Sequence, residues 1–217
     1  MSRRMRRVPV LQCLQAIESM MRERLPCHWV KTVDAKPLPV GSYSKDKDAR
    51  WGQAGAGKAR GYKLFAVCDG QEAIDRWCIG PMNQSEYKTA LRLVQALEPG
   101  GYLLGDALYD INALYAGVAE RGWQLLAPRQ KPTSGLGHGP HHPARYRSIE
   151  LLATDYGREL YKCRTSIERY FGHLGNFGGG LGPLPNWVRH PHRVATWVQM
   201  KIIIKAARVS RMRKRSA

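Results

Sequence analysis

The chain reads as an α/β protein built on a mixed sheet with helices packed against it. Three observations predict this class. Short apolar runs bounded by turn residues read as strands, longer segments with apolar residues at i, i+4 and i+7 read as helices, and the two alternate as β-α-β in the middle of the chain. With 217 residues there is enough chain for one sizeable core. No stretch approaches the roughly 18 uninterrupted apolar residues of a membrane span.

The elements follow in order. Residues 1–28 form a basic, helix-prone leader that ends at the Pro26-Cys27-His28 breaker. It opens with a basic cluster as a signal peptide would, but Gln12, Gln15, Glu18 and Ser19 interrupt any apolar run, so it reads as an amphipathic helix of a cytoplasmic protein. The core is expected over 29–207. Trp29 to Val33 reads as a short strand entering Asp34, and Lys36 to Ala59, rich in Gly, Pro, Lys and Asp, as a mobile basic loop. Tyr62 to Asp69 and Gln71 to Ile79 pair as a hairpin about the Asp69-Gly70 turn. Ser85 caps a helix marked by Tyr87, Leu91, Val94 and Leu97 and closed by Pro99-Gly100-Gly101. Tyr102 to Gly105 is a strand that delivers Asp106, Ile111 to Glu120 a helix stopped at Gly122, and Trp123 to Ala127 a further strand. Residues 129–150 read as a long loop, functional or mobile. Helices are expected over about 155–175 and 190–209, with a frayed basic tail, 208–217, that is either solvated or holds phosphates.

Lys and Arg number 35 against 17 Asp and Glu, a formal net charge of +18. Such a surplus repels itself unless a polyanion offsets it, which points to nucleic acid, with a ribosome-associated or membrane-surface protein as the other readings. Cys13, Cys27, Cys68, Cys78 and Cys163 are odd in number and never form a C-x-x-C pair. That argues against a disulfide framework or zinc knuckle and for free, mostly buried thiols.

Asp34 and Asp106 each close an apolar strand, where the ladder would hold a carboxylate rigidly at the rim of the sheet. Singly, each is equally a turn residue. Tyr161, Arg164 and Glu168 follow at i, i+3 and i+7, the spacing of one helix face. Leu160, Cys163, Ile167, Phe171 and Leu174 supply the neighbouring apolar stripe, so Glu168 stands at its border. An ordinary surface salt bridge between Arg164 and Glu168 fits the same spacing. Gathered carboxylates suit Mg²⁺, a hard cation that takes oxygen ligands, and a pair of such ions can activate a water or 3′-hydroxyl and stabilise a leaving oxygen.

The run from Tyr161 through Arg164 to Glu168 resembles the Y-R-E signature of insertion-sequence transposases of the IS-four and IS-five groups. Val33-Asp34 resembles their first acidic strand, Gly61-Tyr62-Lys63-Leu64 through Asp69 the strand that follows, and Leu104-Gly105-Asp106-Ala107-Leu108-Tyr109-Asp110 their second acidic motif. The resemblance covers about residues 29 to 205. It implies a ribonuclease-H-like domain, a mixed sheet flanked by helices, with Asp34, Asp106 and Glu168 as catalytic metal ligands for two Mg²⁺ ions or substituted Mn²⁺, supported by Tyr161 and Arg164. It also implies DNA as partner, both inverted-repeat ends and target, a homo-oligomer in the DNA complex, and a bacterial, nucleoid-associated location. Lys36, Lys58, Arg60, Lys63, Arg129, Lys131, Arg169 and His173 are the expected DNA contacts.

Two features depart from that pattern. The family commonly carries a DNA-contacting Lys seven positions after the Glu, where this chain has Gly175, followed by Asn176-Phe177-Gly-Gly-Gly180. His173 and Arg169 are the candidates to replace it. Relatives also carry an N-terminal DNA-binding region, against about 28 residues before the core here, so a truncated or split product is expected. The alternative functions are therefore an inactive DNA-binding remnant or regulator, and a host ribonuclease-H-like nuclease. His138, His141 and His142 read as a DNA-contacting or flexible loop before a metal site. Trp187 and Trp197 read as core packing, and Asp69 and Asp110 as cap or turn residues before neighbours of the metal site.

Overall fold

The structure is a computed structural model that describes residues 7–23, 28–70, 73–176 and 180–216. The start of the leader, Pro26, Cys27, Gln71 and Phe177 lie outside the described residues. Helix α1 (Val8–Glu23) precedes strands β1 (Val30–Pro39), β2 (Arg50–Ala54), β3 (Gly57–Asp69) and β4 (Ile74–Pro81). Then α2 (Glu86–Gln95), β5 (Gly101–Leu104), α3 (Asn112–Ala119) and β6 (Trp123–Leu126) alternate, and α4 (Pro143–Ala153), α5 (Asp155–Lys162), α6 (Thr165–Asn176) and α7 (Pro191–Ser216) follow.

Strand β3 organises the sheet. Its second half lies between β4 and β1, antiparallel to both, and β5 and β6 continue from the far side of β1 in parallel. Strand β2 pairs with the first half of β3 as a hairpin. Helices cover both faces, which is why Leu64 to Cys68 is apolar throughout. Tyr62, Leu64, Ala66 and Cys68 face Ile167, Phe171 and Leu174 of α6 and Val194 and Val198 of α7. On the other face, Phe65, Val67 and Val33 meet Ala90 and Val94 of α2 and Leu114 and Val118 of α3. A curled mixed sheet flanked by helices is the expected ribonuclease-H-like arrangement.

The expected mobile loop from Lys36 to Ala59 is mostly sheet. Strand β1 runs on to Pro39 and β2 begins at Arg50. Pro37 and Pro39 are compatible with the ladder because of the side they face. Trp29 O accepts from Tyr102 on β5 while Val40 N donates to Arg60 on β3, so odd-numbered residues of β1 turn away from β3. Pairing with β5 ends at Thr32, leaving that edge open where the two prolines lack an N–H.

The rest of that loop is latched rather than mobile. The buried Asp46 carboxylate accepts from Tyr62 Oη at 2.8 Å, His190 N at 3.0 Å and Asp48 N at 3.1 Å. Arg60 donates to the carbonyls of Ala49, Ser44 and Asp46.

Other expectations are corrected in the same way. The loop expected over 129–150 gives way to α4 at Pro143, with His142 Nδ1 accepting from Ala144 N and Arg145 bound to both oxygens of Asp110 at 2.7 and 2.8 Å. Asp110 is thus an ion-pair anchor, whereas Asp69 holds its turn by accepting from Ala73 N. The tail expected to fray continues α7 to Ser216, consistent with its helix-forming Arg, Lys and Met residues. Cys13 and Cys163 are exposed and Cys78 is half-buried, leaving Cys68 as the buried thiol among those described. Trp187 is exposed and meets Trp197 edge-on at 5.2 Å. Ser85 occupies the cap position of α2, but its hydroxyl makes no capping bond. Helix α1 packs on α7, and Glu18 accepts from Trp77 Nε1 of β4 and Gln199 Nε2 of α7.

The Asp46 latch predicts a pH-dependent stability. Burial alone would raise this carboxyl, but the hydrogen bonds from Tyr62, His190 and Asp48 outweigh it and hold it below the usual 3.8. A depressed folded value stabilises the protein above the unfolded value, and that contribution is lost as pH falls. Asp46→Ala is expected to lower the urea unfolding free energy by about 1 to 3 kcal/mol at pH 7, the gap from the natural chain shrinking below about pH 4.

Candidate active site

Asp34 lies in the middle of β1, two residues beyond its last partner on β5, and not at the end of a short strand. Strand β3 pairs with β1 on both sides of it, so its backbone is held while the side chain sits at the open edge. Asp106 follows β5 directly. Its Oδ1 accepts from Leu108 N at 2.8 Å, capping the 3-10 turn Ala107–Tyr109. Gly105 before it is required by close approach, since a Cβ there would lie 2.9 Å from Tyr109 Cβ. Tyr161 Oη donates to Gly105 O at 2.9 Å and so ties the end of α5 to the strand end that presents Asp106.

The Y-R-E run does not occupy one helix face. Tyr161 lies in the last turn of α5, Glu168 stands in the first turn of α6, and Arg164 lies in the break between them. At the break the amides of Cys163, Arg164, Ser166 and Ile167 each bond three residues back, and Thr165 Oγ1 takes the carbonyl of Lys162. That tight winding suits the Thr-Ser pair, whose hydroxyls compete for backbone groups. Ser166 Oγ meets Thr32 Oγ1 of β1 at 3.4 Å, fixing α6 against the strand that carries Asp34.

Consequently Arg164 turns inward, its side chain only 16% exposed, and becomes the common neighbour of the three acids. Its Nη1 lies 2.5 Å from Glu168 Oε1, and its Nη2 lies 3.7 Å from Asp34 Oδ2 and 3.9 Å from Asp106 Oδ2. Its Nε is buried without a partner. Exposure rises from 19% for Asp34 through 33% for Asp106 to 53% for Glu168, so the cluster opens outward toward Glu168.

Burial raises the Asp34 carboxyl to about 6; Ala35 N–H and Arg164 offset part of this, while Asp106 and Glu86 add like charge. Glu86, on the first turn of α2 and paired with Lys63 at 2.5 Å, is a contributor to the site's field that sequence reading missed. Nothing in its spacing from the other acids signals it. Among the described residues, Asp46, Asp48 and His190 have metal-compatible atoms all within 4.8 Å of one another. Their atoms serve the latch between the β1–β2 loop and α7, and both aspartates were hidden in the stretch read as a loop.

A family profile described as the transposase DDE domain matches residues 25–183. The chain belongs to this family. No curated protein matches it. In this insertion-sequence DDE transposase catalytic domain, Asp34 from β1, Asp106 after β5, Tyr161 from α5, Arg164 from the break and Glu168 from α6 lie together. The expected DNA contacts of this transposase domain divide. Lys58, Lys131, Arg169 and His173 are exposed, and Lys36 is half-buried beside the acids. Lys63 is buried against Glu86, Arg60 holds the β1–β2 loop, and Arg129 donates to the carbonyls of Pro132 and Ser134, so these three cations serve the fold. His141 and His142 likewise serve the entry to α4. No helix of the described residues is long and apolar enough to cross a membrane.

The raised Asp34 value carries a stability consequence. A carboxyl whose folded value exceeds its unfolded one favours folding when protonated, and that advantage is lost as pH rises through about 6. At neutral pH the charge therefore opposes folding by on the order of 2 to 3 kcal/mol. Without added metal, Asp34→Asn is expected to raise the urea unfolding free energy by about 1 to 3 kcal/mol at pH 7.5 and to leave it unchanged at pH 4.

Proposed function

We propose that this transposase domain cuts DNA at the ends of an insertion sequence and joins the freed 3′ ends to target DNA, with Asp34, Asp106 and Glu168 holding divalent ions, Mg²⁺ or substituted Mn²⁺. The observation that carries the reading is the convergence of three acids, from β1, the end of β5 and α6, on the single guanidinium of Arg164. The donor set fits such ions: all three ligands are carboxylates, and Asp34 is held in a burial that its protein neighbours do not fully compensate. Bound there, two ions would supply an activated water or 3′-hydroxyl and charge stabilisation for the leaving oxygen.

The chain's own groups do the positioning. Tyr161 holds the strand end beneath Asp106, and the Thr32–Ser166 contact sets α6 at its distance from Asp34. Arg164 offsets part of the negative charge of the three acids and, once released from them, is a planar donor suited to a phosphate. Arg169, His173, Lys58 and Lys131 offer exposed groups to DNA phosphates, adding affinity without sequence preference. The domain over 29–207 would work as a homo-oligomer that brings two inverted-repeat ends and target DNA together, flanked by the leader and basic tail, in the bacterial cytoplasm at the nucleoid.

Nicking of supercoiled plasmid with Mg²⁺ or Mn²⁺ tests this directly. The natural chain is expected to cut, and Asp106→Asn and Glu168→Gln are each expected to reduce the rate by 100-fold or more, on the order of 3 kcal/mol in the barrier. A folded natural chain that binds DNA and never cuts would reject the cleavage reading and leave the regulator.

A further inference from the structure

Lys36 is a second cation of the site, and its surroundings differ from those of Arg164. It lies two residues beyond Asp34 on β1, so their side chains leave the strand on the same face, about 7 Å apart along the chain. That face looks onto α6: Thr32 meets Ser166, and the Lys36 ammonium lies 6.0 Å from the centre of the Phe171 ring. Among the described residues the ammonium makes no hydrogen bond or ion pair, although it is half-buried. Asp34 reaches it only as a charge at a distance. A cation withdrawn from water with no anion in contact is poised for one supplied from outside.

The space around it has a specific cause. A Cβ built at Gly175 of α6 would have the Lys36 ammonium as its near neighbour, at 3.8 Å. Any longer side chain at 175 would enter the volume where the ammonium sits. We propose that Lys36 binds a backbone phosphate of the DNA strand presented to Asp34, Asp106 and Glu168, and that the bare surface at Gly175 is what lets it do so. The position that lacks a side chain on α6 is filled from β1. The inference rests on the cleavage reading for its location, but its test reads binding separately.

The measurement uses the full chain and two variants, Lys36→Met, which keeps the stem against Phe171, and Lys36→Met combined with Gly175→Lys, which returns an ammonium from the helix side. Binding to a short DNA duplex is followed without divalent metal over about 50 to 200 mM salt. Lys36→Met is expected to reduce the slope of log affinity against log salt by about 0.9, the contribution of one phosphate contact. It is also expected to slow Mg²⁺-dependent nicking by about tenfold or more, as loss of a positioning contact does. The double variant is expected to regain both. A Lys36→Met chain with the natural slope, or a double variant as impaired as Lys36→Met, would overturn the proposal. If the slope falls as expected while even the natural chain does not cut, the phosphate contact stands and the cleavage reading fails.

Discussion

The site depends on one guanidinium held among three carboxylates. Asp34, Asp106 and Glu168 come from elements far apart in the chain, and like charges drawn toward one partly buried place repel. Arg164 offsets that repulsion from a position only 16% exposed, where its geometry is set by the break between α5 and α6. Had the helix run through, Arg164 would lie on the same outward face as Glu168 and the two strand acids would lack their counter-charge. Removing Arg164 is therefore more disruptive than loss of an exposed ion pair would suggest, because the carboxylates left behind lose their shared cation while Asp34 stays desolvated.

The sheet makes that arrangement possible. Pairing of β5 with β1 stops at Thr32, so one edge of β1 is unpaired by any strand from Asp34 to Leu38 while the other remains bonded to β3 as far as Pro39. An acid can then stand beside an unpaired edge without its backbone being free. The same open edge accommodates Pro37 and Pro39, and its outer carbonyl at Pro39 is taken by Leu184 N from the segment before α7. Asp34 is strained electrostatically, not sterically, a cost that the rest of the fold carries.

Much of this was legible in the sequence, and the failures share a cause. The hairpin and the β-α-β alternation were readable because each rests on local periodicity; Asp106 does follow its strand, whereas Asp34 lies inside β1 rather than at a strand end, and Glu168 was picked out by its spacing from Tyr161 and Arg164. Lys36 to Ala59 misled because Gly, Pro and Asp normally mark loops, whereas here Asp46 and Arg60 satisfy a folded segment through contacts with Tyr62 and His190 far along the chain. The Tyr161–Glu168 spacing is compatible with a continuous helix, and only the packing of Ser166 on Thr32 shows where it must tighten. Glu86 and the inward turn of Lys63 are contacts between separate elements, and no pattern along the chain encodes them.

The central claim is that the three carboxylates, now sharing the Arg164 guanidinium, form a divalent-ion site. Soaking crystals of the natural chain with Mn²⁺ and collecting anomalous diffraction tests it most directly. The account predicts anomalous density bounded by the carboxylates of Asp34, Asp106 and Glu168, with the Arg164 guanidinium withdrawn from them. Arg164 still paired with Glu168 and no density at the acids, at a Mn²⁺ concentration that occupies other sites, would contradict it.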